Sequence, residues 1–414
     1  MPDRCEDVWR SQTPYVLAAL LRRSGDVETC EDAVQEALLA ASTQWPTDGV
    51  PEDPRAWLVR VASRRLIDFD RGRAARRRRE LADATLLPAD AHHAPPADRT
   101  ALEPATDDAL QMLLLCAHPA LSDASRVALT LRAVAGLTTA QIAAGFLVPL
   151  ATMAQRIARA KSTLRAAGPP LQPITSRDLP ERLHAVRHVL YLTFNEGHTA
   201  SSGDALLDGA LADEAVRLAE RLHAALPDDP ETSGLLALLL LTHARTPART
   251  DDHRDLVPLA QQDRSLWDRS LIDRGTALVE QALPSGPVGS FQLQAAIAAV
   301  HGEARTAEAT DWLQITMLYR MLDRLAPSVT VTLNLAIATG MAHGPEAGLD
   351  ALAPLLSRAD QERNHRVHAA HAHLLELSGA AEAARVAYRL AARLTRSIPE
   401  QRYLNRKAGA VGRS

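Results

Sequence analysis

Thr152, Gln155, Arg156 and Arg159 recur at intervals of three and four residues, so a helix that carries them places them on one face. None of these groups forms a nucleophile–base pair. Their chemistry is hydrogen bonding: glutamine matches the exposed edge of adenine, and arginine that of guanine. Thr152, in the first turn of such a helix, suits a phosphate oxygen, while Arg159 and Lys161 fall nearer the path of a nucleic-acid backbone. Covalent chemistry finds little support. The chain holds no HExxH, CxxC, GxSxG or P-loop pattern, so no catalytic residue, metal site or cofactor is expected and the chain reads as a non-enzyme. His365, His368 and His371 step by three along a predicted helix, with His373 close by. A metal site needs thiolate or carboxylate partners and ordered groups behind them, so a polar helix face is the favoured reading.

Recognition side chains need a rigid carrier. Leu137 to Lys161 reads as a helix, a tight break and a second helix. Ile142, Ala143, Leu147, Met153 and Ile157 fall where a helix-turn-helix buries its side chains, and Pro149 suits the first turn of the second helix, where a missing N–H costs nothing. A basic, polar helix behind a compact turn fits a DNA major groove; a helical hairpin with a solvated arginine face is the plainer alternative. Gly145, within the first helix, costs about 1 kcal/mol relative to alanine and points to tight packing or local weakness there.

A chain of 414 residues is long enough for about two to four domains. Alanine and leucine dominate its apolar content and aromatic residues make up only 3%, which favours packed helices over sheets. Cys5, Cys30 and Cys116 are far apart and odd in number, so no disulfide framework is suggested and a reducing cytoplasm is the expected location. There is no apolar signal segment at the N-terminus, and the longest apolar run, near Leu235 to Leu241, is too short to span a bilayer.

Charge is segregated into blocks. Residues 1–53 hold 4 Arg against 11 acidic residues, residues 55–79 hold 10 Arg against 2 Asp, residues 81–123 hold 1 Arg against 7 acids, and residues 126–165 hold 6 basic residues and no acid. The two basic blocks are the electrostatic footprint expected for phosphate contact.

The first basic block lies in a second ordered set of motifs: Asp32-Ala33-Val34-Gln35-Glu36-Ala37, then Trp45-Pro46-Thr47-Asp48-Gly49-Val50-Pro51, Pro54-Arg55-Ala56-Trp57-Leu58, Val61-Ala62-Ser63-Arg64-Arg65-Leu66-Ile67-Asp68, and a run ending Arg76-Arg77-Arg78-Arg79. This order resembles region 2 of bacterial RNA polymerase sigma factors of the extracytoplasmic-function group, and the helix-turn-helix resembles their region 4. Tyr191-Leu192-Thr193-Phe194-Asn195-Glu196-Gly197 and Gln292 to Ala299 resemble a subgroup with a large helical C-terminal extension.

The resemblance implies partners and roles. Asp32, Gln35 and Glu36 would meet the β′ clamp helices of core RNA polymerase, whose β flap is a further expected contact. Trp57, Arg60, Arg64, Arg65 and Arg71 would bind the −10 element of promoter DNA, and Arg76 to Arg79 its phosphates without reading sequence. Thr152, Gln155, Arg156, Arg159 and Lys161 would bind the −35 element. A loop is expected at 43–54, and its part from Gln44 to Asp53 would hold a flipped −10 base; Trp45 there is read as a core anchor, with base stacking as the alternative. Asp70 stands where an apolar residue is expected, and is read as a point where the basic helix shifts or ends.

The implied fold is all-α: region 2 over 1–80, a proline-rich linker over 81–106, region 4 over 107–168, and a helical extension over 178–414. In the extension, Ala372, Gly379, Ala384, Tyr388 and Ala391 match the small and aromatic positions of a tetratricopeptide repeat, with Pro399 about three residues late. A solenoid or a plain helical bundle is therefore expected, open to a protein or small-molecule partner. Asn195-Glu196-Gly197 reads as a helix end with Gly197 as its left-handed cap. The functional expectation is a sigma factor, not membrane-bound, with a regulatory extension. The alternative is a helix-turn-helix regulator with a sensing domain that does not join polymerase.

Overall fold

A computed structural model describes residues 12–13, 15–21, 27–82, 107–135, 137–146, 148–167, 178–198, 209–251, 255–395 and 397–412. Residues 83–106 of the proline-rich linker, Leu147, residues 199–208 and the Gly168-Pro169-Pro170 boundary lie outside them. The described secondary structure is helical, apart from one isolated bridge between Thr250 and Leu256. The chain divides into two compact units, the first holding residues 1–144 and 148–189, the second 145–147 and 190–414.

In the first unit, α1 (Val27–Asp48) packs on α2 (Pro54–Ala82). Their shared core is Ala33, Val34, Ala37, Ala41, Leu58, Ala62 and Leu66, all buried. The expected loop at 43–54 is shorter than its prolines suggest, because α1 continues to Asp48 with Pro46 inside it. Trp45 is 3% exposed and stands edge-on to Trp57 at 5.5 Å, an apolar anchor that holds the last turn in place. Gly49 ends the helix at φ 83°, its N–H donating to the Trp45 carbonyl at 3.0 Å, a left-handed stop that glycine adopts without a Cβ clash. Asp53 then caps α2 by accepting from the Ala56 N–H at 3.0 Å, with Pro54 at the tolerant first position. Asp70 does not end α2, which runs on to Ala82: one polar residue removes no backbone hydrogen bond.

The second part of this unit holds α3 (Asp107–Cys116), α4 (Asp123–Ala133), α5 (Thr139–Gly145) and α6 (Leu150–Ala166). Ile142, Ala143, Met153 and Ile157 are buried as expected, joined by Ala160 and Leu164. Pro149 sits at the N-cap of α6, one position earlier than anticipated. The start of α5 is held by a reciprocal capping box: Thr138 Oγ1 accepts from the Gln141 N–H at 3.2 Å, and Gln141 Oε1 accepts from the Thr138 N–H at 2.8 Å.

In the second unit, α7 (Leu179–His198, which begins in the first unit) is followed by α8 (Gly209–Ala225), α9 (Pro230–His243), α10 (Arg269–Ala282) and α11 (Ser290–Glu303). α9 is apolar on every side, Leu235 to Leu241 being buried throughout, so it must be surrounded; α8, α10 and α11 pack on it. The Glu231 carboxylate accepts from the backbone N–H groups of Phe291 (2.9 Å) and Gln292 (3.3 Å), so an acid on α9 satisfies the N-terminus of α11. Gly197 is not a left-handed cap: α7 passes through it to His198, and Gly197 is buried. Tyr191 stands edge-on to Phe291 at 5.5 Å, bringing together the two separated motifs at 191–197 and 292–299.

From α12 (Trp312–Leu325) through α13 (Val329–His343), α14 (Pro345–Leu356), α15 (His365–Leu377), α16 (Ala381–Leu394) and α17 (Ile398–Ala410), each helix packs on the next. The α15–α16 pair buries Ala372, Ala384, Tyr388 and Ala391, and Gly379 turns between them at φ 82°. Gly340 and Gly348 let α13 and α14 approach so closely that a Cβ on Gly348 would stand 2.8 Å from the Gly340 Cα. No helix among the described residues is long and apolar enough to cross a membrane.

Candidate nucleic-acid interface

The face of α6 opposite Met153, Ile157, Ala160 and Leu164 presents Thr152, Gln155 and Arg159 exposed, with Arg156 partly buried beside them. Their positions follow from the helical period: once the apolar residues are buried, the residues between them must point outward. Leu150, in the first turn of α6, is also exposed, at 55%. Lys161 lies elsewhere. Its ammonium pairs with Glu31 of α1, and the same carboxylate accepts from Arg132 Nε at 3.1 Å. Arg132 also donates to the Leu137 carbonyl at 3.1 Å, just ahead of α5. One largely buried acid thus joins α1 to α4 and α6. Sequence reasoning missed Glu31 and Arg132; the only hint was an acid set among the inward residues Cys30, Ala33 and Val34.

On α2, Arg60, Arg64, Arg65 and Arg71 are exposed, and their spacing puts Arg60, Arg64 and Arg71 on one side. Trp57 is half-buried against Trp45. Ile67, 44% exposed, shares the side of Arg60, Arg64 and Arg71, so this basic surface also carries an apolar group; Phe69, on another side of α2, is 36% exposed. The side chains of Arg76 to Arg79 lie outside the described residues.

On α1, Asp32 and Gln35 are exposed and Glu36 is half-exposed, 3.9 Å from Arg65 Nε. The assigned acidic strip and the basic surface of α2 therefore adjoin. Leu39, 62% exposed, extends the strip by one turn and was not anticipated. Among the described residues, no three His, Cys, Asp or Glu side chains gather as metal ligands; His365 Nε2 instead lies 3.2 Å from Glu400, and His368 Nε2 lies 2.8 Å from the Glu362 carbonyl.

Comparison with known families decides what these surfaces belong to. Residues 8–79 match sigma-70 region 2, and residues 111–164 match sigma-70 region 4. Two segments of the chain are thus sigma-70 domains, regions 2 and 4. The chain's relatives include a probable ECF RNA polymerase sigma factor, SigI, of Mycobacterium tuberculosis, 34% identical over 146 residues, which is 34% of this chain and 47% of that protein. Another is the ECF RNA polymerase sigma factor SigJ of the same organism, 41% identical over 75 residues, 18% of this chain and 22% of that protein. An uncharacterized protein of Rhizobium meliloti strain 1021 matches at 41% identity over 397 residues, 95% of this chain and 92% of that protein, so the sigma modules and the extension occur together there too. Residues 182–283 match a family of unknown function, DUF6596. No solved structure matches the chain. The matched region 2 takes in α1 and most of α2, and the matched region 4 takes in α4, α5 and nearly all of α6.

Proposed function

We propose that the protein is a promoter-specificity subunit of core RNA polymerase, acting in the cytoplasm without chemistry of its own. In this reading α6 recognises the −35 element, α2 contacts and helps to open the −10 element, and the Asp32–Gln35–Glu36 strip docks on the β′ clamp helices. The observation that carries it is the outward row Thr152, Gln155, Arg156 and Arg159 on a helix whose other face is fully buried, within the matched region 4. Arg156→Ala should cost about 1–3 kcal/mol at one position of the −35 element and relax preference there. The assay is reconstituted transcription with core enzyme on a randomised promoter library. An unaltered −35 preference would remove Arg156 from base reading; no promoter-dependent transcription by the parent would refute the function itself.

The extension is assigned a regulatory role, in place of a separate inhibitor. Supporting this, Arg182 at the start of α7 donates to the Leu114 carbonyl at 3.2 Å, in the last turn of α3, so the first turns of α7 are tied to region 4. The repeat-like α15–α16 pair and neighbour-on-neighbour stacking suit a solenoid of the tetratricopeptide kind, which presents a surface to a protein or small molecule. Residues 1–170 alone should differ from the full chain at least several-fold in the same transcription assay, in either direction. Equal activity and equal core affinity would make the extension an independent module.

A further inference from the structure

The interior of the second unit gathers three arginines, and among the described residues the acids acting on them are Glu400, on Arg249, and Glu308, on Arg264. Arg245 follows the end of α9, Arg249 lies one turn on, and Arg264 enters from the segment before α10. His198 from α7 and His301 from α11 border the same arginines. Burial, with the adjacent arginines adding to it, pushes His198 down to about 2 and His301 down to about 3, so both rings are neutral and the charge in the cluster belongs to the guanidiniums.

Two of the three guanidiniums have settled roles. Arg264 donates to the carbonyls of His301 (2.8 Å) and Ala304 (2.6 Å) and to Thr310 Oγ1 (3.3 Å), and it lies 4.7 Å from the Trp267 ring centre. It closes the C-terminal end of α11, where carbonyls lack helical partners. Arg249 donates to the His198 carbonyl at 3.1 Å, at the matching end of α7. Arg245 differs. Its Nε is enclosed and has no acceptor among the described residues, and the neighbours acting most strongly on its charge are Tyr319 and the like-charged Arg264. The nearby acid, Glu400, acts on Arg249 but is held by His365 (3.2 Å) and Thr395 (2.8 Å).

A largely covered guanidinium that meets no acid among the described residues costs several kcal/mol, and a folded chain has no structural reason to keep one where a methionine would pack. Arg245 nevertheless retains partial access, as do its neighbour Tyr319 and the Asn334 that bonds Tyr319. Tyr319 lies next to Asn334, and burial pushes its hydroxyl up to about 12, so it remains an O–H donor. A guanidinium fork with hydroxyl and amide donors nearby matches the oxygens of a phosphate or carboxylate, while Tyr191 and Phe291 add aromatic surface near Tyr319. We propose that Arg245, with Arg249 and Tyr319 beside it and Asn334 behind Tyr319, binds the oxyanion of a small phosphate- or carboxylate-bearing molecule inside the extension. The site uses no residue of the DNA-facing surfaces, so it stands whether or not the promoter reading does.

The test titrates the full chain with sodium phosphate and, separately, sodium acetate, at ionic strength fixed with chloride, following thermal unfolding. A bound anion stabilises the folded chain in proportion to its occupancy, so at least one of the two should raise the melting temperature saturably. A response to phosphate alone assigns a phosphate ligand; a response to acetate alone, a carboxylate. Arg245→Met should be at least as stable as the parent in chloride, since it removes an unpaired charge, and should need at least tenfold more anion for the same rise. Arg245→Lys keeps the charge without the fork and should weaken the response several-fold, which covers the case of a methionine variant that does not fold. No saturable response from the parent, or an unaltered response in the lysine variant, overturns the proposal.

Discussion

Reversing Asp32 and Glu36 to arginine together should abolish capture of core RNA polymerase while leaving the chain folded. Both side chains lie on the outward side of α1, Asp32 exposed and Glu36 half-exposed, and substitutions at such positions usually change stability by about 0.5 kcal/mol or less. The new arginine at 36 would face Arg65, now 3.9 Å from Glu36, a like-charge pair that costs a few tenths of a kcal/mol on a solvated surface. Against a basic partner helix the change is far larger. An attractive strip becomes a repulsive one, and like charges forced together at an interface cost several kcal/mol; roughly 3 kcal/mol would weaken binding about 100-fold. Fluorescence titration of labelled protein with core enzyme at physiological salt reads the effect, with circular dichroism as the check on folding. Leu39→Ala should weaken binding by a smaller factor that is insensitive to salt, because it removes apolar contact and no charge. Parental affinity in the doubly reversed chain would move the docking surface off α1.

Local periodicity carried much of this in the sequence. The buried set Ile142, Ala143, Met153 and Ile157 and the outward row on α6 follow from the helical period alone, because a helix with one apolar face has a single way to orient itself. Region 2 was legible through its motif order, and the extension through its stripes and small-residue positions. What stayed hidden depends on contacts between distant segments. Pro46 reads as a breaker, yet Trp45 packed on Trp57 carries α1 past it. Gly197 reads as a stop, yet the helix continues because Phe194 and His198 stack at 5.2 Å in its last turn inside the second unit. Lys161 reads as one more cation of the DNA-facing helix; only the fold brings Glu31 to it across 130 residues. Arg245 is the same kind of case, since nothing in its local sequence distinguishes an arginine that lacks a partner.

Glu31→Ala should loosen region 4 from region 2, and amide hydrogen exchange in α6 should report it. The Glu31 side chain is only 10% exposed and accepts from Arg132 at 3.1 Å while also pairing with Lys161. Removing it leaves two largely covered cations facing each other with no anion between them. A buried polar group left without its partner costs about 1–3 kcal/mol, and a charged one more, so local opening should become roughly 5- to 150-fold more frequent. The amides of α5 should follow, because Arg132 also holds the Leu137 carbonyl and would lose the carboxylate that orients it. The substitution also separates two roles for Lys161. If Lys161 touches promoter phosphate, it must first leave Glu31, and freeing it should steepen the salt dependence of DNA binding by about one unit of log–log slope relative to the parent. Faster exchange with an unaltered slope would make Lys161 a structural cation only and take it out of the −35 contacts. Unaltered exchange in both helices would mean that the apolar contacts of Met153, Ile157 and Leu164 hold region 4 without help from this ion pair.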